Sequence, residues 1–220
     1  MATTAGEDYL RAIFRLQGKK GRLAHTTDVA ETLGVSKPSV TAMLKRLAGE
    51  GLLDYSPRKG VRLTPAGREA TLRVVRRHRL LETFMVQILG LDWSEVHKEA
   101  DILEHHLSDL LVEAIDRALG YPTEDPHGHP IPSAKGDLRE RELTPLGAVL
   151  EGERGTVREV HALEAERLQR WSELGLVPGT GFVMRKRQEM EDVMHIDIGD
   201  RVIVTGSEGV EGILVECIAS

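Results

Sequence analysis

The chain has 220 residues, 40% of them hydrophobic but only 4% aromatic, so it can build two or three small domains around aliphatic cores. Its single cysteine, Cys217, excludes a disulfide framework and every cysteine-based zinc motif. No apolar run reads as a signal peptide or a bilayer span, and the expectation is a soluble, cytoplasmic protein. The net charge is −6, but it is unevenly placed: 16 Lys/Arg against 7 Asp/Glu in residues 1–80, 5 against 14 in 81–142, and 8 against 14 in 143–220. A basic first third suits phosphates, and an acidic middle suits cations.

Tyr9, Leu10, Ile13, Phe14 and Leu16 follow helical spacing and predict a helix over 3–17, ended by Gly18 and Gly21. Thr26 or Thr27 can cap a short helix through Val29, Ala30 and Leu33, stopped by Gly34. Ser36 caps the next, with Pro38 in its first turn, where a missing N–H does no harm. That helix runs through Val40, Met43, Leu44 and Leu47 to about Glu50, and Gly51 stops it. LLDYS and VRLT then flank the tight Pro57-Arg58-Lys59-Gly60 as a β-hairpin. Helix, glycine turn, helix and basic hairpin make the winged helix-turn-helix pattern, whose second helix enters the major groove N-terminus first. Its candidate DNA contacts are Ser36, Lys37, Pro38, Ser39, Thr41, Ala42, Lys45 and Arg46, with Arg58 and Lys59 at the hairpin tip for phosphates. The plain alternative is a helical hairpin with a solvated basic face.

Thr64-Pro65 caps a long helix over about 65–90, arginine-rich in its first half. Asp92-x-x-Glu95 reads as a capping box for a helix over about 93–119, ended by Gly120 and Pro122. PTEDPHGHPIPSAKGD, at 122–137, reads as a loop or linker. A domain boundary falls near Leu138 to Arg141. Beyond it come the short alternating runs GTVREV, GFVMRK, VMHIDIG, RVIVTG and GILVECI, with one amphipathic helix over about 163–174. That pattern predicts a small all-β barrel carrying one helix.

The segment VHKEADILEHH, residues 96–106, carries the most chemistry. His97, Asp101, Glu104 and His105 stand at i, i+4, i+7 and i+8, one face of a helix. Apolar residues normally hold such a face. Two imidazoles and two carboxylates there, if buried, call for a partner, and a divalent metal satisfies N and O ligands together. His78 and Glu82 are i, i+4 on the preceding long helix, and Asp8 on the first helix could complete a site across the bundle. The bland reading is a solvated stripe with i, i+4 hydrogen bonds. His106 points off this face, and His25, His129 and His195 belong to no such constellation and read as solvated.

RHRLLETFMVQILGLDWSEVHKEADILEHHLSD resembles the metal-binding and dimerisation core of the DtxR/MntR family of metal-dependent transcriptional repressors. EDYLRAIFRL, SKPSVTAMLKRLAGEGLL and DPHGHPIP resemble the same family, and RLQRWSELGLVPGT resembles the marker of the FeoA-like, SH3-like barrel of its longer members. The resemblance covers nearly the whole chain. It implies a mainly α fold with a small β domain: a winged helix-turn-helix at 1–64, a helical dimerisation and metal-binding domain at 65–138, and an SH3-like barrel at 139–220. It also implies a homodimer that binds operator DNA when loaded with Mn²⁺ or Fe²⁺ and represses metal-uptake genes. The primary metal site would be Asp8, Asp101, Glu104 and His105. The iron-sensing branch has sulfur side chains at the positions of Asp8 and Asp101, whereas the manganese branch has carboxylates, as here. Three carboxylates and one imidazole independently make a hard, oxygen-rich site that suits Mn²⁺, with Fe²⁺ its neighbour in the affinity series. His78, Glu82 and His97 match the family's ancillary site, to which Asp125, His127, Glu159 and His161 are weaker candidates.

Two departures from the family pattern stand out. Small manganese sensors place a glutamate three residues after the N-terminal aspartate to hold a second ion; this chain has Arg11 there, and a cation is no ligand. Where the iron-sensing branch carries a glutamine on its recognition helix, this chain has Ala42, which can touch a thymine methyl but makes no bidentate hydrogen bond. The operator sequence therefore does not carry over.

Two other function classes fit the sequence less well. A di-metal carboxylate enzyme in a helix bundle needs Glu-x-x-His on two helices, and the metal helices lack it. There is also no nucleophile motif, phosphate loop or dinucleotide fingerprint, so catalysis is not expected. A metal-transport accessory protein, prompted by the FeoA-like barrel, leaves the winged helix without a role.

Overall fold

The computed structural model describes residues 3–18, 22–139, 141–162 and 164–218. Gly21 and residue 163, expected at the end of the first helix and the start of the last, lie outside the described residues. The chain gathers into two compact units. One comprises Met1–His78, Glu104–Leu107 and Pro132–Leu138; the other comprises Arg79–Leu103, Ser108–Ile131 and Arg139–Ser220.

The first unit holds helices α1 (Thr4–Gln17), α2 (Thr26–Leu33) and α3 (Lys37–Gly49) and the antiparallel strands β1 (Leu53–Ser56) and β2 (Gly60–Leu63). Thr3 caps α1 by accepting from the Gly6 N–H, and Ser36 caps α3 by accepting from the Ser39 N–H. The apolar stripes of the three helices meet the hairpin in one core of Leu10, Ile13, Val29, Val40, Leu44, Leu47 and Val61. Val40, Leu44 and Leu47 are essentially removed from water, and each such side chain contributes about 1.5–3 kcal/mol. Ala24 makes an isolated antiparallel bridge to Val61 of the hairpin. Helix α4 (Pro65–Gln87) starts hard against the hairpin's entry: a Cβ on Gly67 would fall 1.9 Å from the Leu52 carbonyl oxygen.

The second unit holds α5 (Val96–Leu103), α6 (Asp109–Ala118) and a six-stranded antiparallel sheet. The strands are β3 (Thr144–Pro145), β4 (Arg154–Val160), β5 (Gly181–Gln188), β6 (Val193–Ile198), β7 (Arg201–Thr205) and β8 (Ile213–Cys217), ordered β3-β8-β4-β5-β6-β7, with α7 (Ala165–Leu174) between β4 and β5. Alternation along β6 sends Met194, Ile196 and Ile198 inward to join Val157, Val160, Leu168, Trp171, Met184, Ile213 and Val215. The buried Trp171 indole N–H donates to the Gly209 carbonyl oxygen at 2.8 Å, so this large ring leaves no polar atom unpaired.

Three expectations are corrected. The helix predicted over 93–119 is broken: α5 ends at Leu103, a 3₁₀ turn covers Glu104–His106, and α6 begins afresh after Ser108. Ser108 is the cause, because its hydroxyl accepts from the Leu111 N–H and caps a new helix. Asp92 forms no capping box; its Oδ1 accepts from the Ser94 N–H and hydroxyl in a tight local turn. Neither Thr26 nor Thr27 caps α2, whose N-cap is His25 with no side-chain hydrogen bond.

Candidate metal centres and DNA-reading surface

In the first unit, α1 contributes Asp8, and the 3₁₀ turn contributes Glu104 and His105. Their ligand atoms all lie within 4.8 Å of one another. His105 Nε2 is 3.1 Å from Asp8 Oδ1 and 3.5 Å from Glu104 Oε1, while His105 Nδ1 is 2.7 Å from Glu7 Oε2. Glu7 thus fixes the ring from behind and leaves Nε2 facing the two carboxylates, the usual way a carboxylate orients a ligand imidazole. Glu104 is fully buried. Its Oε2 receives Arg11 Nη1 at 2.9 Å and lies 2.6 Å from His78 Nδ1, whereas its Oε1 is buried with no hydrogen-bond partner. A buried carboxylate oxygen with no donor is costly in a protein interior. A divalent cation beside Oε1, Asp8 and His105 Nε2 would remove that cost, so the donor set fits a hard metal ion.

The sequence groups His78 with Glu82 and His97. Within the first unit its Nδ1 stands beside Glu104, where Arg11 Nη1 also reaches it at 3.0 Å. Glu82, further along α4, belongs to the second unit. Asp101 is likewise in the second unit, on α5, with Oδ2 3.8 Å from His97 Nε2. Because Glu104 and His105 sit in a 3₁₀ turn, the four residues of VHKEADILEHH do not form one continuous α-helical face.

The second unit contains a chain of buried polar groups. Glu82 is buried, with Oε1 2.9 Å from His97 Nδ1 and Oε2 3.6 Å from His127 Nδ1. The other His127 nitrogen, Nε2, donates to the Trp93 carbonyl oxygen at 3.0 Å. Burial pulls the His127 pKa down, but the Glu82 hydrogen bond and charge outweigh it and hold the ring above its ordinary value. Asp125 Oδ1 accepts from the backbone N–H groups of His127 and His129, both at 2.9 Å, and Oδ2 faces His129 Nδ1 at 3.1 Å and Arg79 Nε at 3.5 Å. Burial alone would raise the Asp125 carboxyl, yet His129 and Arg79 beside it hold it below the usual carboxylate range. Burial keeps His129 below the ordinary imidazole value. His129 Nε2 lies 3.3 Å from His161 Nδ1, and His161 Nε2 lies 3.2 Å from Glu159 Oε2. The segment expected to be a plain linker is therefore tied down, and His129, expected in solvent, is half-buried in a network. The reason is Gly128, at φ +84, where a Cβ would fall 1.8 Å from the Arg158 carbonyl oxygen. Only glycine lets this turn press against β4.

On the DNA-reading face, Ser36, Lys37, Pro38, Ser39, Ala42, Lys45 and Arg46 are exposed. Thr41 is half-buried and its hydroxyl donates to the Lys37 carbonyl oxygen at 3.0 Å. The Ser36 and Ser39 hydroxyls bond each other at 2.8 Å, and Arg46 pairs with Glu50 at 2.9 Å. Arg58 and Lys59 are exposed at the hairpin tip, with Arg58 in the left-handed region at φ 69.

Residues 1–61 match the family model "Iron dependent repressor, N-terminal DNA binding domain", residues 64–133 match "Iron dependent repressor, metal binding and dimerisation domain", and residues 144–217 match "FeoA domain". The diphtheria toxin repressor of Corynebacterium glutamicum is 31% identical over 200 residues, covering 86% of this chain and 87% of that protein. The chain belongs to the DtxR/MntR family of metal-dependent transcriptional regulators. The iron-dependent repressor IdeR of Mycobacterium leprae is 37% identical over 126 residues, but that match spans only 57% of this chain and 54% of the relative. Among solved structures, a manganese-dependent transcriptional repressor in complex with manganese superposes with a TM-score of 0.90 at 36% identity, covering 97% of this chain and all of the other. ScaR with bound Cd²⁺ superposes with a TM-score of 0.81 at 30% identity, over 96% of this chain and 98% of that one. The relatives of this DtxR/MntR family chain are named as repressors, and none of those cited is named as an enzyme.

The partners of four residues of this family member become visible only in the fold. Glu7 is an ordinary first-turn helix acid by its position, and tertiary structure brings it onto His105. Arg11 stands out in the sequence as a departure, but its bond to Glu104 needs the fold. Arg79 looks like one of five arginines on a basic stretch, yet it is largely buried against Asp125. His129 has one available signal, its place two residues after His127 in DPHGHP, which sends both rings from one tight turn.

Proposed function

We propose that this chain is a Mn²⁺-responsive DNA-binding repressor, with Fe²⁺ as a second effector, that acts on operators of metal-uptake genes as a homodimer. Residues 1–64 would read DNA, 65–138 would dimerise and bind metal, and 139–220 would form the accessory SH3-like domain. The observation that carries this reading is the convergence of Asp8, on the first helix of the DNA-binding head, with Glu104 and His105. Asp101, three residues before Glu104, completes the proposed primary set by resemblance. His78, Glu82 and His97 are the proposed ancillary ligands by the same resemblance; Glu82 lies 2.9 Å from His97 and 3.6 Å from His127, a weaker candidate. Glu104 Oε1 is the oxygen open to a cation, because Oε2 is already held by Arg11 and His78. Arg11 also argues against a second ion next to the first, since its charge already neutralises Glu104.

A metal held by Asp8, Glu104 and His105 would clamp α1 and thereby set the position of the recognition helix α3. A dimer must place two such helices about one turn of DNA apart, roughly 34–36 Å. Metal that restricts the head to that spacing removes an ordering cost, a coupling of about 1–3 kcal/mol. Homodimer formation is supported by the family's dimerisation domain and by the large apolar residues Ile88, Leu89, Leu91, Ile102, Leu103, Leu110 and Leu111, all exposed in the second unit. Among the described residues no helix is long and apolar enough to cross a membrane, and a repressor of this type would work in the cytoplasm, beside the chromosome.

Fluorescence anisotropy tests the reading, using a duplex selected from random DNA by the Mn²⁺-loaded protein at fixed salt. Mn²⁺ should tighten binding about 5–150-fold, the range of that coupling, and a chelator should reverse it. Affinity that does not change with Mn²⁺ would refute the regulatory reading.

A further inference from the structure

The sheet of the second unit ends in two unlike edges. At one edge β3 has only two residues, Thr144 and Pro145. So short a strand, with no N–H on its proline, is a poor template for further pairing. At the other edge β7 pairs with β6 over five consecutive residues without a bulge. Among the described residues no other strand lies beside it. From Val202 to Ser207 the chain carries no charge and no proline, and Val202 and Val204 are 45% and 60% exposed. Edge strands usually carry a charge, a proline or a bulge, because an open row of backbone groups invites pairing. We propose that β7 is an interaction surface for β7 of a second copy of this chain, joined antiparallel about Ile203.

The geometry selects that occupant. Gly199 and Asp200 form the two-residue turn between β6 and β7, with Gly199 at φ +56, so Ile198 and Arg201 exchange the first pair of hydrogen bonds. Alternation then turns the N–H and C=O of Val202 and Val204 away from β6. In a pairing centred on Ile203, Val202 lies opposite the partner's Val204, and Val204 opposite the partner's Val202. These residues can exchange four N–H···O=C bonds, and the valines meet in two cross-strand pairs on the outer face. Charge agrees with this arrangement. Arg201 falls opposite the partner's Thr205, so no like charges oppose each other. One row across the sheet runs Lys186, His195, Val204, and another runs Val183, Asp197, Val202. Joining the edges sets Lys186 of one copy and the partner's Asp197, opposite in sign, on either side of a valine pair.

The size of the contact sets its strength. A five-residue strand spans about 17 Å. Contact over that length buries well under the ~1,600 Å² of a standard stable interface. Pairing is therefore weak between free molecules and is populated where the local concentration is high. It uses none of the apolar residues offered above for the homodimer, so it would join one dimer to the next. It does not depend on whether the chain reads DNA.

The test takes metal-free full-length protein to sedimentation equilibrium from low micromolar to about 1 mM, the local concentration at which weak linked contacts act. Wild type should double in mass over that range. Val202→Lys and Val204→Lys, each at an exposed position and checked for folding by near-UV circular dichroism, should not. Two variants made in a Cys217→Ser background fix the register. Val202→Cys mixed with Val204→Cys should form the mixed disulfide several-fold faster than either variant forms one with itself. The amides of Val202 and Val204 should exchange with solvent quickly in dilute protein and slowly in concentrated protein. A mass that stays constant over the range, doubling that survives both lysine variants, or equal disulfide formation in mixed and single samples would each overturn the proposal. So would Val202 and Val204 amides already protected in dilute protein, which would mean that another segment of the same molecule covers the edge.

Discussion

Replacing Glu104 by Gln tests the proposed primary site at its most buried member. The change keeps the side chain's shape and removes its charge. In the wild type, Oε2 receives Arg11 at 2.9 Å and His78 at 2.6 Å, with Glu104 fully buried and the Arg11 side chain 17% exposed. Hydrogen bonds to a charged group contribute about 1.5–3 kcal/mol. Arg11 can recover part of its hydration at that exposure, so the expected loss is nearer the lower figure, about 2 kcal/mol. For a chain of this size that lowers the midpoint of thermal unfolding by about 4–8 °C. The metal response should change separately. Mn²⁺ at a hundred times its dissociation constant stabilises the wild type by about 2.7 kcal/mol, and Glu104→Gln should lose most of that gain at the same Mn²⁺ concentration. Differential scanning calorimetry with and without Mn²⁺ reads both effects. An unchanged metal-free midpoint, together with a full Mn²⁺-dependent shift, would refute both the placement of Arg11 and the role of Glu104.

Three further outcomes are expected. Gly128→Ala should destabilise the second unit by about 3 kcal/mol or more, since the new Cβ would fall 1.8 Å from the Arg158 carbonyl oxygen at a φ of +84; urea unfolding checks this, and a cost under about 1 kcal/mol would contradict the close approach. Arg58→Ala should weaken binding to all duplexes alike and reduce the slope of log affinity against log salt by about 0.9 for each phosphate that is no longer neutralised; a change confined to one sequence would mean base readout instead. Ser94→Ala should let the Asp92 carboxyl rise towards its ordinary value, because the Ser94 side-chain and backbone hydrogen bonds hold it down. A folded-state value below the unfolded 3.8 contributes stability above that pH, and the contribution is lost as pH falls through the folded value. Wild type and variant should therefore differ above about pH 4 and converge in stronger acid, as an NMR titration with acid unfolding would show.

Local signals make most of the architecture legible. Ser36, Pro38 and Gly51 mark the ends of α3, alternation marks β6, and the turn Pro57-Arg58-Lys59-Gly60 marks the hairpin. In each case neighbouring residues suffice, because capping and strand alternation act over a few positions. The break after His106 is hidden in the sequence because Ser108 inside an otherwise helical pattern is ambiguous: the same residue can sit mid-helix or cap a new one, and packing decides.

The sequence by itself determined the family, the basic head, the acidic middle and the residue types that suit a hard cation. Those depend on composition, short-range pattern and motif. Tertiary structure alone decided how the charged residues are shared out. It placed Glu7 behind His105, joined Arg11 and His78 to Glu104, set Glu82 against His97, and drew His129 to His161 across 32 residues of chain. Helical periodicity names the face a residue shares with its own helix but not the partner it meets there. For buried charges the partner is what matters, because each must find a counter-charge, a hydrogen bond or an ion.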